Sequence, residues 1–279
     1  MRRPPNAIRS LVRPVVGLLR GICYAALDWA DRWRGRADDL TPPRSLQAFV
    51  GRDAAFEQVG NEFVAHFRNL CQLQPAERIL DIGCGAGRMA IPLLGYLDSQ
   101  GRYTGFDIAR KAIRWCSTHI TGKNARFVFH WADIFNRQYN PGGKGCAARY
   151  RFPCEDGSID FVFATSVFTH MFPDDVRHYL REIQRVLAGG GRGLLTFFIL
   201  DQGGADRPGT GLVFNVHLGD CYTIDARIPE SAIAFAEAKL RAMVAEAGLA
   251  IEEPIRAGRW SGHRDGLSYQ DILIVSKPA

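Results

Sequence analysis

No stretch of 18 residues in this 279-residue chain is apolar and free of charge, which leaves no clean membrane-spanning helix. The sequence has no Cys-x-x-Cys pair, and its cysteines number seven. That pattern supports neither a disulfide framework nor a zinc knuckle, so the thiols read as reduced, in a cytoplasmic protein. No two histidines have the helical spacing of a metal site, and no structural metal is expected. Internal repeats and low-complexity tracts are also missing. Apolar residues make up 47% and charged residues 23%, which excludes collagen-like, coiled-coil and wholly disordered chains. A chain this long can bury a sizeable core without cross-links.

The body also lacks a charge excess. The net charge of +6 resides in residues 1–36, where eight arginines face only Asp28 and Asp31. The remaining 243 residues carry 27 basic and 27 acidic groups. A nucleic-acid partner is therefore not expected for the body. Within residues 8–33, apolar side chains recur at Ile8, Leu11, Val12, Val15, Leu19, Ile22, Ala26, Trp29 and Trp33. This spacing predicts one helical face, with Pro14 starting or kinking the helix. Arg9, Arg13 and Arg20 fall mostly off that face. An Arg-rich amphipathic helix with tryptophans can lie in the headgroup layer of an anionic bilayer, at the inner face of the membrane, or it can pack on its own domain. A secretory signal fits worse, because Arg13 and Arg20 interrupt the apolar stretch. Asp38, Asp39 and Pro42-Pro43 mark a linker, giving a basic helical arm and linker at 1–40 and a main domain at 41–279.

From residue 77 the pattern alternates strand and helix. Strands are expected at Glu77–Ile82, Arg102–Phe106, Ala125–Trp131, Ile159–Thr165 and Gly193–Leu200, with two more near Ala250–Arg256 and Gln270–Val275. Helices are expected at Ala86–Leu97, Ala109–His119, Asp174–Leu187 and Glu230–Ala247, and further helices within 44–74. Apolar strands alternating with helices imply an α/β fold, a doubly wound and mostly parallel seven-stranded sheet. Phe135–Gly157 and Asp201–Pro229 break the alternation as long loops after strand ends, where ligands bind in such sheets.

The sharpest motif is Asp81-Ile82-Gly83-Cys84-Gly85-Ala86-Gly87, at the end of the first strand and the start of a helix. Glycines there permit a tight turn and close approach of a ligand. Asp107 ends the second strand, 20 residues after Gly87, where a nucleotide's ribose hydroxyls would lie. Asp133 follows the third strand after Trp131 and Ala132. The dinucleotide fingerprint GxGxxG is not met, and a carboxylate at Asp81 would repel a pyrophosphate. Asp81 suits a cationic or amino-bearing ligand instead.

Residues 74–200 thereby resemble class I S-adenosylmethionine-dependent methyltransferases, and more the small-molecule branch. The resemblance rests on Asp81–Gly87, Gly105-Phe106-Asp107, Trp131-Ala132-Asp133, Asp160–Ser166 and the turn at Leu187–Arg192. It implies a Rossmann-like sheet whose last strand runs antiparallel, and S-adenosylmethionine as cofactor. It further implies that Gly83, Gly85 and Gly87 lie under the cofactor and that Asp107 binds the ribose. Ala132 and Asp133 would frame the adenine, and Asp81 would sit near the methionine end. After the fourth strand the chain reads Thr165-Ser166-Val167-Phe168-Thr169-His170-Met171, without the Asn/Asp-Pro-Pro-aromatic pattern of many base methyltransferases.

His170 is the candidate general base for a hydroxyl acceptor, since an imidazole near neutral pKa can take its proton. His217 and His263 are weaker candidates. Tyr139, Asn140 and Arg149 in the first long loop, and Phe214, Tyr222 and Trp260–His263 later, are candidate acceptor contacts. The expected reaction is methyl transfer to a small molecule, a hydroxyl of a glycan or lipid-linked metabolite. An NAD(P)-dependent oxidoreductase and a non-catalytic adenosyl-binding module are the alternatives.

Overall fold

The computed structural model describes residues 21–35, 37–48, 56–200 and 212–279. Residues 21–33 form a helix, α1, whereas positions 8–20 of the expected arm lie outside the described residues. Helices α2 (Arg44–Gln47) and α3 (Phe56–Cys71) precede the first strand. Eleven strands follow among the described residues. They are β1 (Arg78–Ile82), β2 (Arg102–Asp107), β3 (Phe127–Trp131), β4 (Ile159–Ala164), β5 (Leu187–Phe197), β6 (Ile199–Leu200), β7 (Val216–Leu218), β8 (Cys221–Thr223), β9 (Ile233–Ala236), β10 (Ala250–Arg256) and β11 (Asp271–Ser276).

Seven of them make one sheet in the order β10-β11-β5-β4-β1-β2-β3. Strands β1 to β5 pair in parallel, and β11 is antiparallel to both β5 and β10. The sheet is therefore the doubly wound, mostly parallel one that the alternation implies, with the last strand reversed. The pleat sends Leu80 and Ile82 to one face and Ile79 to the other. Leu80 and Ile82 join Val162 and Ala164 under helices α6 (Pro173–Val186) and α7 (Glu237–Glu246). Ile79 joins Phe161, Phe163 and Leu194 under α3, α4 (Ala90–Leu94) and α5 (Arg110–Cys116).

Helix α6 illustrates how sequence sets an element. Val176, Tyr179, Leu180, Ile183 and Val186 recur at helical spacing and are all buried. Pro173 stands at the start, and Asp174 and Asp175 occupy the first turn, where the helix dipole favours acids. Each fully buried Val, Leu or Ile is worth about 1.5–3 kcal/mol.

Three expectations are corrected. The helix expected over Glu230–Ala247 is instead a 3-10 turn (Pro229–Ser231), strand β9, and the shorter α7. The run Ile233-Ala234-Phe235 is buried on both sides because β9 lies between β6 and β8. Tertiary pairing there overrides the helical character of the flanking residues. The helix expected over Ala86–Leu97 shrinks to α4, since the turn of the glycine motif continues through Met89. Finally, the described part of Asp201–Pro229 is not loop throughout. It carries β7 and β8, part of a second, four-stranded sheet ordered β6-β9-β8-β7. Residues 201–211 of that stretch lie outside the described residues.

Candidate active site

Strand order reverses at β1, which pairs with β2 on one side and β4 on the other. Register places Ile82 opposite both Phe106 and Ala164, so three carboxyl ends open at one level. The glycine motif turns across this opening. Gly83 N and Cys84 N both donate to the Phe106 carbonyl, at 2.9 and 3.1 Å. Gly83, Gly85 and Gly87 have φ of 76°, 52° and 77°, the left-handed region that glycine tolerates best. A Cβ on Gly83 would come within 2.4 Å of Val167 Cγ2.

A cavity of about 790 Å³ lies at these strand ends. Its wall includes Gly83, Cys84, Asp107, Ile108, Ile134, Phe135, Tyr139, Val167, His170 and Glu230. Of the residues singled out from sequence, Gly83, Asp107, Tyr139 and His170 share this wall. Asp107 is buried and accepts from Gly85 N at 2.8 Å and Ala109 N at 2.6 Å. Burial raises its carboxyl above the ordinary value, and the backbone donors work against that. Asp81 stands behind the motif and not on the wall. The Tyr103 hydroxyl donates to it at 2.5 Å, and burial pushes its carboxyl up to about 8. Ala132 is fully buried, and its N–H donates to the Asp107 carbonyl. The Asp133 carbonyl accepts from Gly145 N, which ties the first long loop to the end of β3.

His170 sits on a 3-10 turn (Phe168–His170) after β4. Its Nδ1 is 2.7 Å from the Glu230 carbonyl, which can only accept, so Nδ1 carries the proton. Nε2 is then the lone-pair nitrogen, and the Tyr139 hydroxyl lies 3.3 Å from it. Burial lowers the His170 pKa below 6.5, which keeps the ring neutral. A neutral imidazole of fixed tautomer on a cavity wall is equipped to accept a proton.

The turn carrying His170 is braced by a buried polar network. Ser166 is a non-glycine residue with φ 58°. Its N–H donates to Thr196 Oγ1 at 2.8 Å, and its hydroxyl donates to Gln270 Oε1 at 3.1 Å. Thr196 Oγ1 donates to the same Gln270 oxygen at 2.7 Å. Such a conformation costs about 1–3 kcal/mol and persists where the surroundings over-determine it.

Other candidates do not reach the cavity. Phe214 and Trp260 pack with Phe198 in a separate apolar cluster, with Tyr222 beside it. His217 lies on β7 against the Tyr222 ring, and His263 lines a smaller surface hollow near Arg256. Asn140 donates to the Ile134 carbonyl and stiffens its loop, and Arg149 belongs to a 3-10 turn off the wall. Sequence reading missed Glu230, placed there at a helix start. The Pro229-Glu230 step was the available signal for a turn. All seven cysteines are free thiols. Among the described residues, no three His, Cys, Asp or Glu side chains gather as a metal site.

The wall suits an adenosyl group. Asp107 retains acceptor capacity for paired hydroxyls, and Ile108, Ile134 and Phe135 offer apolar surface to a purine. The methyltransferase domain family matches residues 80–195, which contain the glycine motif, Asp107, Asp133 and His170. The chain is 29% identical over 149 residues to the 27-O-demethylrifamycin SV methyltransferase of Amycolatopsis mediterranei, covering 53% of this chain and 48% of that one. It is 30% identical over 133 residues to an O-methyltransferase of Aspergillus nomiae, covering 46% and 49%. The chain thus spans about half the length of these two curated relatives. In fold it is similar to the PH0226 protein of Pyrococcus horikoshii, with a TM-score of 0.55, 15% identity, and coverage of 82% and 93%. On the motif, the strand order and the family match together, residues 80–195 form a methyltransferase domain of the class I S-adenosylmethionine-dependent kind.

Proposed function

We propose that this protein transfers a methyl group from S-adenosylmethionine to a hydroxyl of a small-molecule acceptor. The observation that carries the reading is the presence of Asp107 and a neutral, tautomer-fixed His170 on the wall of one cavity. The two O-methyltransferase relatives support oxygen as the acceptor atom. In this reading Asp107 accepts from the ribose hydroxyls. Gly83, Gly85 and Gly87 bring backbone close beneath the ligand, and Ala132 and Asp133 lie at the adenine. Asp81, enclosed behind the motif with Tyr103, lies on the side of the methionine end without touching it.

When bound, the cofactor supplies a methyl group on a positively charged sulfur, an electrophile with a good leaving group. The chain's own work is then largely positioning, which can be worth about 7–11 kcal/mol when reacting atoms are well aligned. His170 Nε2 takes the acceptor's hydroxyl proton. The Glu230 carbonyl holds the Nδ1 proton in place and steadies the ring as it gains charge. To reach Nε2 the acceptor hydroxyl takes the place of the Tyr139 hydroxyl, which lies 3.3 Å from that nitrogen.

Calorimetric titration with S-adenosylhomocysteine beside NAD⁺ tests this reading. Binding of the first and silence of the second is expected. The reverse would move the chain to the oxidoreductase alternative. Binding without turnover across hydroxylated acceptors would leave a non-catalytic module.

We place the acceptor among glycans and lipid-linked metabolites, because the N-terminal helix suits a membrane surface. Asp28 and Asp31 on α1 turn towards Arg44 of the body. Ile22, Trp29 and Trp33 face outward, with the two tryptophans 70% and 78% exposed. Exposed Arg32 and Arg34 flank them. Tryptophans beside arginines match an anionic headgroup layer. No helix of the described residues is long and apolar enough to cross a membrane. Replacing both Trp29 and Trp33 by Ser in the full chain should lower partitioning onto phosphatidylserine-containing vesicles by about tenfold or more. Unchanged sedimentation with vesicles would remove the membrane reading.

A further inference from the structure

Glu230 is 8% exposed and lines the cavity, and its backbone carbonyl accepts from His170 Nδ1. No described group hydrogen-bonds or ion-pairs with its carboxylate. Its carboxylate oxygens are therefore open to a group that enters the cavity. Asp175, on the same wall, differs. Backbone donors at Phe172 and Ala148 reach its carboxylate, and burial raises its pKa. Among the described residues, the lysine or arginine on the wall is Arg88, which follows the glycine motif and is tied electrostatically to Asp81 and Glu62. Among the described residues, the wall around His170, Tyr139 and Glu230 offers carboxylates, with Arg88 farther along it as the cation.

Resting on the methyl-transfer reading above, we propose that Glu230 selects the acceptor: the carboxylate receives a protonated amine carried by the molecule whose hydroxyl meets His170. The acceptor class is an amino alcohol in the broad sense, an amino sugar or an aryl amine bearing a hydroxyl. Apolar neighbours Ile134, Phe135, Val167, Met171 and Phe172 would hold its carbon frame. A neutral hydroxyl could also donate to Glu230, but it would bring the carboxylate no counter-charge. The charge balance of the wall favours the ammonium.

The test uses the full chain saturated with S-adenosylhomocysteine and two matched probe pairs, tyramine against 4-ethylphenol and glucosamine against glucose. Binding is read by calorimetry or ligand-observed NMR, for wild type and Glu230→Gln. At least one amine should bind wild type about tenfold more tightly than its neutral partner, and the preference should shrink to about twofold or less in the variant. Equal binding within both pairs, a preference that survives Glu230→Gln, or no binding by any probe would overturn the proposal. Saturation with S-adenosylhomocysteine is measured first and separately. Its failure would count against the methyl-transfer reading, whereas its success with no amine preference would count against Glu230 alone.

Discussion

Asp107→Ala is expected to weaken S-adenosylhomocysteine binding by about 100-fold or more, measured by calorimetry at fixed salt. The carboxylate lies at the end of β2 on the cavity wall, buried among the cavity residues and the turn of the glycine motif. A hydrogen bond to a charged group contributes about 1.5–3 kcal/mol, and a ribose presents two hydroxyls to one carboxylate. The same side chain also holds Gly85 N and Ala109 N, so its loss frees two buried donors and loosens the loop. That second effect could unfold the site for reasons unrelated to the ligand. Asp107→Asn guards against this, because its amide oxygen still accepts one of the two donors without the charge. An intermediate affinity with a nearly unchanged unfolding temperature is expected for it. Wild-type affinity in both variants would remove Asp107 from the cofactor site.

His170→Gln should lower kcat by about 10²- to 10⁴-fold, with KM and S-adenosylhomocysteine affinity little changed. Gln can keep the hydrogen bond to the Glu230 carbonyl but cannot take a proton. A loss below about tenfold would mean that alignment alone carries the rate. The pH profile separates the two cases. Burial lowers the His170 pKa below 6.5, so the acid limb of the wild-type rate should lie on the acidic side of a free imidazole. Activity should be flat above that limb, and the limb should vanish in His170→Gln. Stability follows the same sign. Below about 6.5 the unfolded chain binds a proton that the folded ring resists, so the fold loses stability as pH falls through that value. His170→Gln should lose this part of the acid sensitivity.

The glycine turn beside the cavity was legible because it is local. The segment Asp81–Gly87 is one strand end and one turn, and three left-handed glycines within five residues bend the chain whatever surrounds them. Asp107 was found for a similar reason, as the last residue of an apolar strand. Asp81 was read as a ligand contact, and its enclosure behind the motif with Tyr103 appears only when β1 and β2 are side by side. Phe214 and Trp260 looked like pocket residues because aromatics in a Gly-rich stretch have no local partner. Their partner is Phe198, and together they fill the small second core.

From the sequence alone came the α/β alternation, the sheet with its reversed last strand, the glycine turn and the acids at successive strand ends. These follow from period, apolar run length and the backbone demands of glycine, all properties of short segments. Tertiary structure decided the rest. Strand β9 exists because β6 and β8 flank it, against a local pattern that reads as helix. The His170 tautomer is set by a carbonyl 60 residues away, and Ser166 is bound by a glutamine 104 residues away. Glu230 faces the cavity because the turn at Pro229–Ser231 delivers it there. Contacts between segments so far apart leave no periodic trace in the chain, so only the folded packing could place them.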